Sequence, residues 1–205
     1  MMALSRQQLE QAGRTSVSNT LFSGDFVGCD VASTKFLERF DIHHLHWVVD
    51  FIHPYSVQNL MAKDLPVVWT LHDTWPLTGG CHYTAGCRLF ESDCVDCPQL
   101  LDDSRQLPLI LQRQKRMCLN QPRLTVTAPS KWLSREAASS SIFRSAKHRS
   151  IPNCVATDVF TPATPEEKAA RRADYGINPY DVVALVIAQD IREQRKGYGV
   201  LAEGL

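Results

Sequence analysis

The sequence predicts an α/β fold with a parallel sheet. Three observations carry that prediction. Apolar stretches of strand length alternate with amphipathic stretches of helix length. Residues 66–72 (PVVWTLH) are almost continuously apolar, as a strand buried on both faces must be. Helix starts with capping residues stand between the strands, the strongest being Thr164-Pro165-Glu166-Glu167.

Taken in order, residues 4–12 carry Leu4, Leu9 and Ala12 at helical spacing, with Ser5 and Gln8 as a capping box and Gly13 as the stop. Residues 26–29 read as a short strand, 33–40 as a short helix and 42–49 as a β-branched and aromatic strand. Residues 55–62 have the Val57, Leu60, Met61 spacing of a helix, and the strand 66–72 follows. Residues 73–100 differ from the rest. They hold Pro76, Gly79, Gly80, Gly86, Pro98 and four cysteines without a period, and a loop of that length in a compact domain is functional or stapled. Residues 107–119 then predict a helix with Leu107, Ile110, Leu111, Gln114 and Cys118 on one side. Residues 123–128 alternate as a strand, and Ser130 caps a helix carrying Trp132, Leu133 and Ala137. A short strand at 149–151 stops at Pro152. The Thr164 helix ends at Gly176, residues 181–188 predict a strand, and a helix begins at Gly199.

Composition narrows the function. The 205 residues carry 22 Lys plus Arg against 22 Asp plus Glu, so no basic excess argues for nucleic acid as a partner. The longest apolar stretch, 182–188, is far short of the ~20 residues that span a bilayer, and residues 1–20 lack the apolar core of a signal peptide. A soluble cytoplasmic protein is the expectation. Of seven cysteines, Cys81, Cys87, Cys94 and Cys97 cluster, while Cys29, Cys118 and Cys154 stand apart. Without a secretion signal, free thiols or a metal site are favoured over disulfides. Cys94-x2-Cys97 with the Cys81, Cys87 pair could close a structural zinc site around the loop, with His82 able to replace one ligand. The alternative is four partly buried thiols or an incidental disulfide.

His43, His44 and His46 share one strand, which puts His44 and His46 on one face. A metal pair is one reading; strand-end or core histidines bonded to backbone are the commoner outcome. His72 stands where ligands bind in a parallel sheet, beyond the carboxyl end of a strand, and Asp73 follows as substrate contact, cap or loop fixer. Arg192, Arg195 and Lys196 precede Gly197 and could hold a diphosphate by charge and by backbone N–H groups; a solvated basic loop is the ordinary alternative.

The run WTLHDTWPLTGGCHY (69–83) resembles a segment of bacterial group 1 (family 4) glycosyltransferases of the colanic acid biosynthesis type. CVDCPQL (94–100), APSKWL (128–133), IPN (151–153) and TDVF (157–160) continue the resemblance in order, and it extends from about Asp41 to the C-terminus. It implies a GT-B fold of two Rossmann-like domains and transfer of a sugar, with retention, from a UDP- or GDP-sugar to a saccharide or lipid-linked acceptor. Exopolysaccharide or cell-envelope glycan synthesis would be the setting, without a catalytic metal. A lipid-linked acceptor would favour peripheral contact at the inner face of the membrane.

In this resemblance residues 1–150 correspond to an acceptor-side domain with the Cys-rich loop 73–100, and 151–205 begin a nucleotide-sugar donor domain. His72 matches the cleft histidine near the reacting sugar, and Lys196 matches the lysine on the donor diphosphate, with Arg195 or Arg192 as a second cation. Asp73, Gly79 and Gly80 belong to the acceptor-side cleft loop. Two features depart from the family pattern: the strand before the lysine ends Ala188-Gln189 rather than Gly-Arg, and Pro152-Asn153-Cys154-Val155-Ala156 replaces Pro-Asn-Gly-Val-Asp. The family's first strand with its Gly-rich loop, and its E-x7-E motif, have no counterpart in these residues, so the resemblance implies an internal fragment with little turnover of its own. A zinc-stapled α/β binding module without catalysis is the competing reading. A nucleotide-sugar epimerase or dehydrogenase would need a G-x-G-x-x-G loop, which the sequence lacks.

Overall fold

The computed structural model describes residues 10–24 and 28–204, which fall into two compact units, Met1–Pro152 and Asn153–Leu205. In the first unit β1 (His43–Leu45), β2 (Val67–Thr70), β3 (Leu124–Ala128) and β4 (Lys147–Ser150) form an all-parallel sheet in the order β1-β2-β3-β4. Val67 pairs with His43 on one side and Leu124 on the other, and Thr127 pairs with Arg149. Parallel neighbours need crossovers, and helices supply them. Helix α1 (Pro54–Ala62) lies between β1 and β2, α2 (Leu107–Leu119) between β2 and β3, and α3 (Lys131–Ser139) between β3 and β4. The α/β class with a Rossmann-like parallel sheet is therefore present as the sequence predicts.

The core follows from the pattern. Val57, Leu60 and Met61 of α1 pack with Val67 and Trp69 of β2, Leu124 and Val126 of β3, Cys118 and Leu119 of α2, and Leu133 and Ala137 of α3. The Trp69 ring meets Phe143 edge-on at 6.2 Å between centroids. Ser130 caps α3 by accepting from the Leu133 N–H at 3.1 Å, as expected from its position.

Several expectations need correction. The strand expected over 42–49 is limited to His43–Leu45, because the indole N–H of Trp69 takes the His46 carbonyl at 3.0 Å and the chain then turns, with Asp50 at φ 57°. The helix expected over 33–40 is two 3-10 turns, Val31–Ser33 and Lys35–Arg39. Thr34, extended at ψ 113°, interrupts the ladder between them. In α2 the buried stripe is Leu107, Leu111, Gln112, Lys115, Cys118 and Leu119, whereas Ile110 faces solvent. Residues 10–12 are helical; the rest of the expected helix 4–12 and half of the strand expected at 26–29 lie outside the described residues, and Cys29 makes a single parallel bridge to Ile52.

The second unit holds α4 (Pro165–Asp174) and α5 (Tyr198–Gly204). Helix α4 starts on the expected capping box: Thr164 Oγ1 accepts from the Glu167 N–H, and Glu167 accepts from the Thr164 N–H. Glu166 and Glu167 in its first turn and Arg171 and Arg172 in its last complement the helix dipole. Residues 181–188 form no strand. Val182, Leu185 and Ile187 are exposed there, and a strand without a neighbour has nothing to pair with. No residue from 153 to 204 is buried.

Candidate functional site

The carboxyl edge of the sheet carries a shallow cleft lined by His46, Trp47, Val48, Thr70, His72 and Asp73, among others. Its floor is made by β1 and β2. After β2 the Leu71 N–H still bonds the Thr127 carbonyl at 2.8 Å, so His72 is the first side chain released from the sheet, and it is exposed. His46 Nδ1 and His72 Nε2 stand 2.9 Å apart, one donating to the other. The His44 ring lies against His46 with centroids 4.2 Å apart and planes tilted by 43°, and it reaches Thr70 Oγ1 at 2.7 Å; Thr70 in turn bonds Thr127 at 2.5 Å. Partial burial, and after it the charges of His46 and His72, hold the His44 pKa below its ordinary value. His44 and His46 therefore bond side chains rather than backbone, and His46 belongs to the cleft, whereas His43 is buried in the core as expected.

The Asp73 carboxylate is engaged by the loop. Its Oδ1 accepts from the Trp75 N–H at 2.9 Å and its Oδ2 from His82 Nδ1–H at 2.6 Å, which leaves His82 Nε2 to accept from the Ser23 hydroxyl at 3.0 Å. The Trp75 indole N–H bonds the Ser23 carbonyl at 3.0 Å. Ser, His and Asp in this order form nucleophilic relays elsewhere. Here Ser23 and His82 are buried, and the His82 ring stacks against Trp47 and Trp75. These bonds, with those of the Ser23 N–H to the Gly80 carbonyl and the His82 N–H to the Leu21 carbonyl, pin the loop to residues 21–23.

The loop 73–100 is held by buried polar side chains. Lys115 of α2 is 1% exposed; its ammonium donates to the Trp75 carbonyl at 2.8 Å and the Thr78 carbonyl at 3.2 Å and sits 3.8 Å from the Trp75 ring centroid. Gln112 accepts from the Cys94 N–H and donates to the Phe90 carbonyl at 3.0 Å. Gln99 donates to the Tyr83 carbonyl at 2.7 Å and accepts from Arg14 at 3.0 Å. A loop without strands must satisfy its backbone groups this way. Gly79 and Gly80 are buried at its tightest point. A Cβ on Gly79 would collide with the Pro108 carbonyl, and one on Gly80, at φ 146°, with the Phe22 ring. Both glycines line the thiol cavity rather than the histidine cleft.

Cys81, Cys87, Cys94 and Cys97 line that one apolar cavity with Phe22 and Phe90. All four are free thiols. Burial pushes the Cys81 and Cys94 thiols up to about 12 and raises that of Cys97. Among the described residues, no group of three or more His, Cys, Asp or Glu side chains is placed to hold a metal ion.

In the second unit, Arg192 pairs with Asp190 at 2.8 Å and Arg195 with Glu193 at 2.7 Å. Lys196 ends the 3-10 turn Gln194–Lys196 and is exposed, with Gly197 behind it at φ 71°. No helix among the described residues is long and apolar enough to cross a membrane.

A four-stranded all-parallel sheet with crossover helices defines the class of Rossmann-like α/β folds, and in such folds ligands bind beyond the carboxyl ends of the strands. Within that class, the chain is 39% identical over 67 residues to a protein provisionally described as the colanic acid biosynthesis glycosyl transferase WcaC of Escherichia coli (strain K12). The match takes in 30% of this chain and 16% of that protein, so the chain spans well under two thirds of the relative. No family model matches the chain. No solved structure matches it.

Proposed function

We propose that this chain is part of a glycosyltransferase of polysaccharide synthesis, built on the two-domain GT-B plan. In this reading Met1–Pro152 serves the acceptor, and Asn153–Leu205 opens the donor domain. The donor is a UDP- or GDP-sugar, the acceptor a saccharide or lipid-linked saccharide, and the sugar is transferred with retention at the membrane's inner face or in the cytoplasm. The observation that carries the reading is His72, exposed at the carboxyl edge of a parallel sheet in a chain with a glycosyltransferase relative.

His72 lies at the reacting sugar, where an imidazole holds or moves a hydroxyl proton. Lys196 neutralises the charge that grows on the departing nucleotide diphosphate, and Arg192 and Arg195 contribute by exchanging their carboxylate partners for phosphate. Two devices, the Asp73–His82–Ser23 chain and the Lys115 clamp, hold the loop that follows His72.

The test is release of UDP from UDP-glucose and of GDP from GDP-mannose by the product of the full reading frame, with and without saccharide acceptors. The His72→Ala variant is expected to lose about 100-fold in kcat with donor affinity little changed. Full turnover in that variant would remove His72 from the site.

The four thiols around one cavity favour a second reading, a zinc-stapled binding module. It requires the thiols to converge further than they do here, and one equivalent of zinc, lost with Cys94→Ser, would support it.

A further inference from the structure

We propose that His46 is a positioning residue for His72: it accepts a hydrogen bond from His72 Nε2–H, fixes the ring, and leaves His72 Nδ1 as the free acceptor facing the cleft. The inference rests on the reading of His72 as the group at the reacting sugar.

Two imidazoles 2.9 Å apart through Nδ1 of one and Nε2 of the other share a single proton in that contact. Which nitrogen carries it is set by the surroundings of both rings. His46 is fixed from two directions. Its carbonyl is held by the Trp69 indole at 3.0 Å, and its ring lies against His44, which is tied through Thr70 to Thr127. His72 has no such support of its own: the neighbouring carboxylate, Asp73, is occupied by His82 and the Trp75 N–H. His46 is thus the anchored partner and His72 the oriented one. With the proton on His72 Nε2, the other nitrogen of His72 keeps its lone pair for a substrate hydroxyl. With the proton on His46 Nδ1, His72 Nε2 would be spent as an acceptor and its Nδ1–H could only donate.

The decisive measurement is 15N NMR of the 205-residue chain labelled at its histidines. A nitrogen–nitrogen coupling across the bond between His46 and His72, with the proton on His72 Nε2, is expected. Absence of the coupling, or a proton resident on His46 Nδ1, overturns the proposal. Kinetics of UDP or GDP release by the full reading frame give the second readout. His46→Phe keeps the ring contact with His44 but removes the acceptor, and it should lower kcat about tenfold with KM for the donor unchanged. His46→Asn places an amide oxygen near the Nδ1 position and should recover most of that loss. If His72→Ala is inactive while His46→Phe is fully active, the positioning role falls alone. If His72→Ala retains full turnover, the catalytic reading of His72 falls, and the role of His46 falls with it.

Discussion

Lys115 shows how much one side chain can organise. A fully buried ammonium is costly unless its charge is met by fixed dipoles, and here two carbonyls and an indole face meet it. Lys115→Met removes the donor and leaves the Trp75 and Thr78 carbonyls buried without it. We expect a loss of about 3 kcal/mol, read from the urea midpoint, with the sheet itself intact. The residue was legible only in part. A lysine four positions from Leu111 and from Leu119 lies on the buried stripe of an amphipathic helix, which marks it as buried, but its partners sit in a loop that no periodicity describes. His46 was equally hard to place, because its partner is 26 residues away, just past the end of the neighbouring strand, and a sequence does not state strand register.

At the scale of elements, the loop 73–100 sets the response to pH. The thiols of Cys81 and Cys94 ionise near 12 in the folded state against an ordinary value of 9.0. Above pH 9 the unfolded chain therefore releases protons that the folded chain retains. Stability contributed by the buried thiols is complete below pH 9 and declines as pH rises towards 12. Thermal melting across that range should show the decline, and Cys94→Ala should flatten it. Zinc bound to the thiolates would remove the dependence, so the same experiment separates free thiols from a staple. The regular elements were largely legible. Strand β2, helix α1, helix α3 and the capping box of α4 stand close to where apolar period and cap residues put them. The failures lie where tertiary contacts decide: the strand expected at 42–49 ends where Trp69 takes the His46 carbonyl, the helix at 33–40 is interrupted at the extended Thr34, and the strand at 181–188 pairs with no other strand.

At the scale of the whole molecule, burial is concentrated in one unit. Trp69, Leu71, Leu124, Val126 and Phe143 are almost wholly enclosed, whereas no residue from 153 to 204 is buried. Amide hydrogen exchange should follow that division: slow for β2, β3 and the turns above them, and fast throughout 153–204, the amides of α4 included. Protection of 181–188 comparable to that of β3 would contradict it. The specificity of the run 69–83 has the same origin, since its Trp, Gly and His positions are each fixed by a distant contact: Trp75 and His82 by Ser23, Gly79 by Pro108, Gly80 by Phe22.

The clamp on the turn 75–78 also orders events in time. The loop needs Arg14 and Ser23 from before the sheet and Gln112 and Lys115 from α2, which follows the loop. During synthesis β1, α1 and β2 leave the ribosome first, and the turn has no ammonium to close on until residue 115 has emerged. The nascent chain therefore carries the histidines long before the loop beside them can close, and the turn 75–78 is clamped only when α2 is in place.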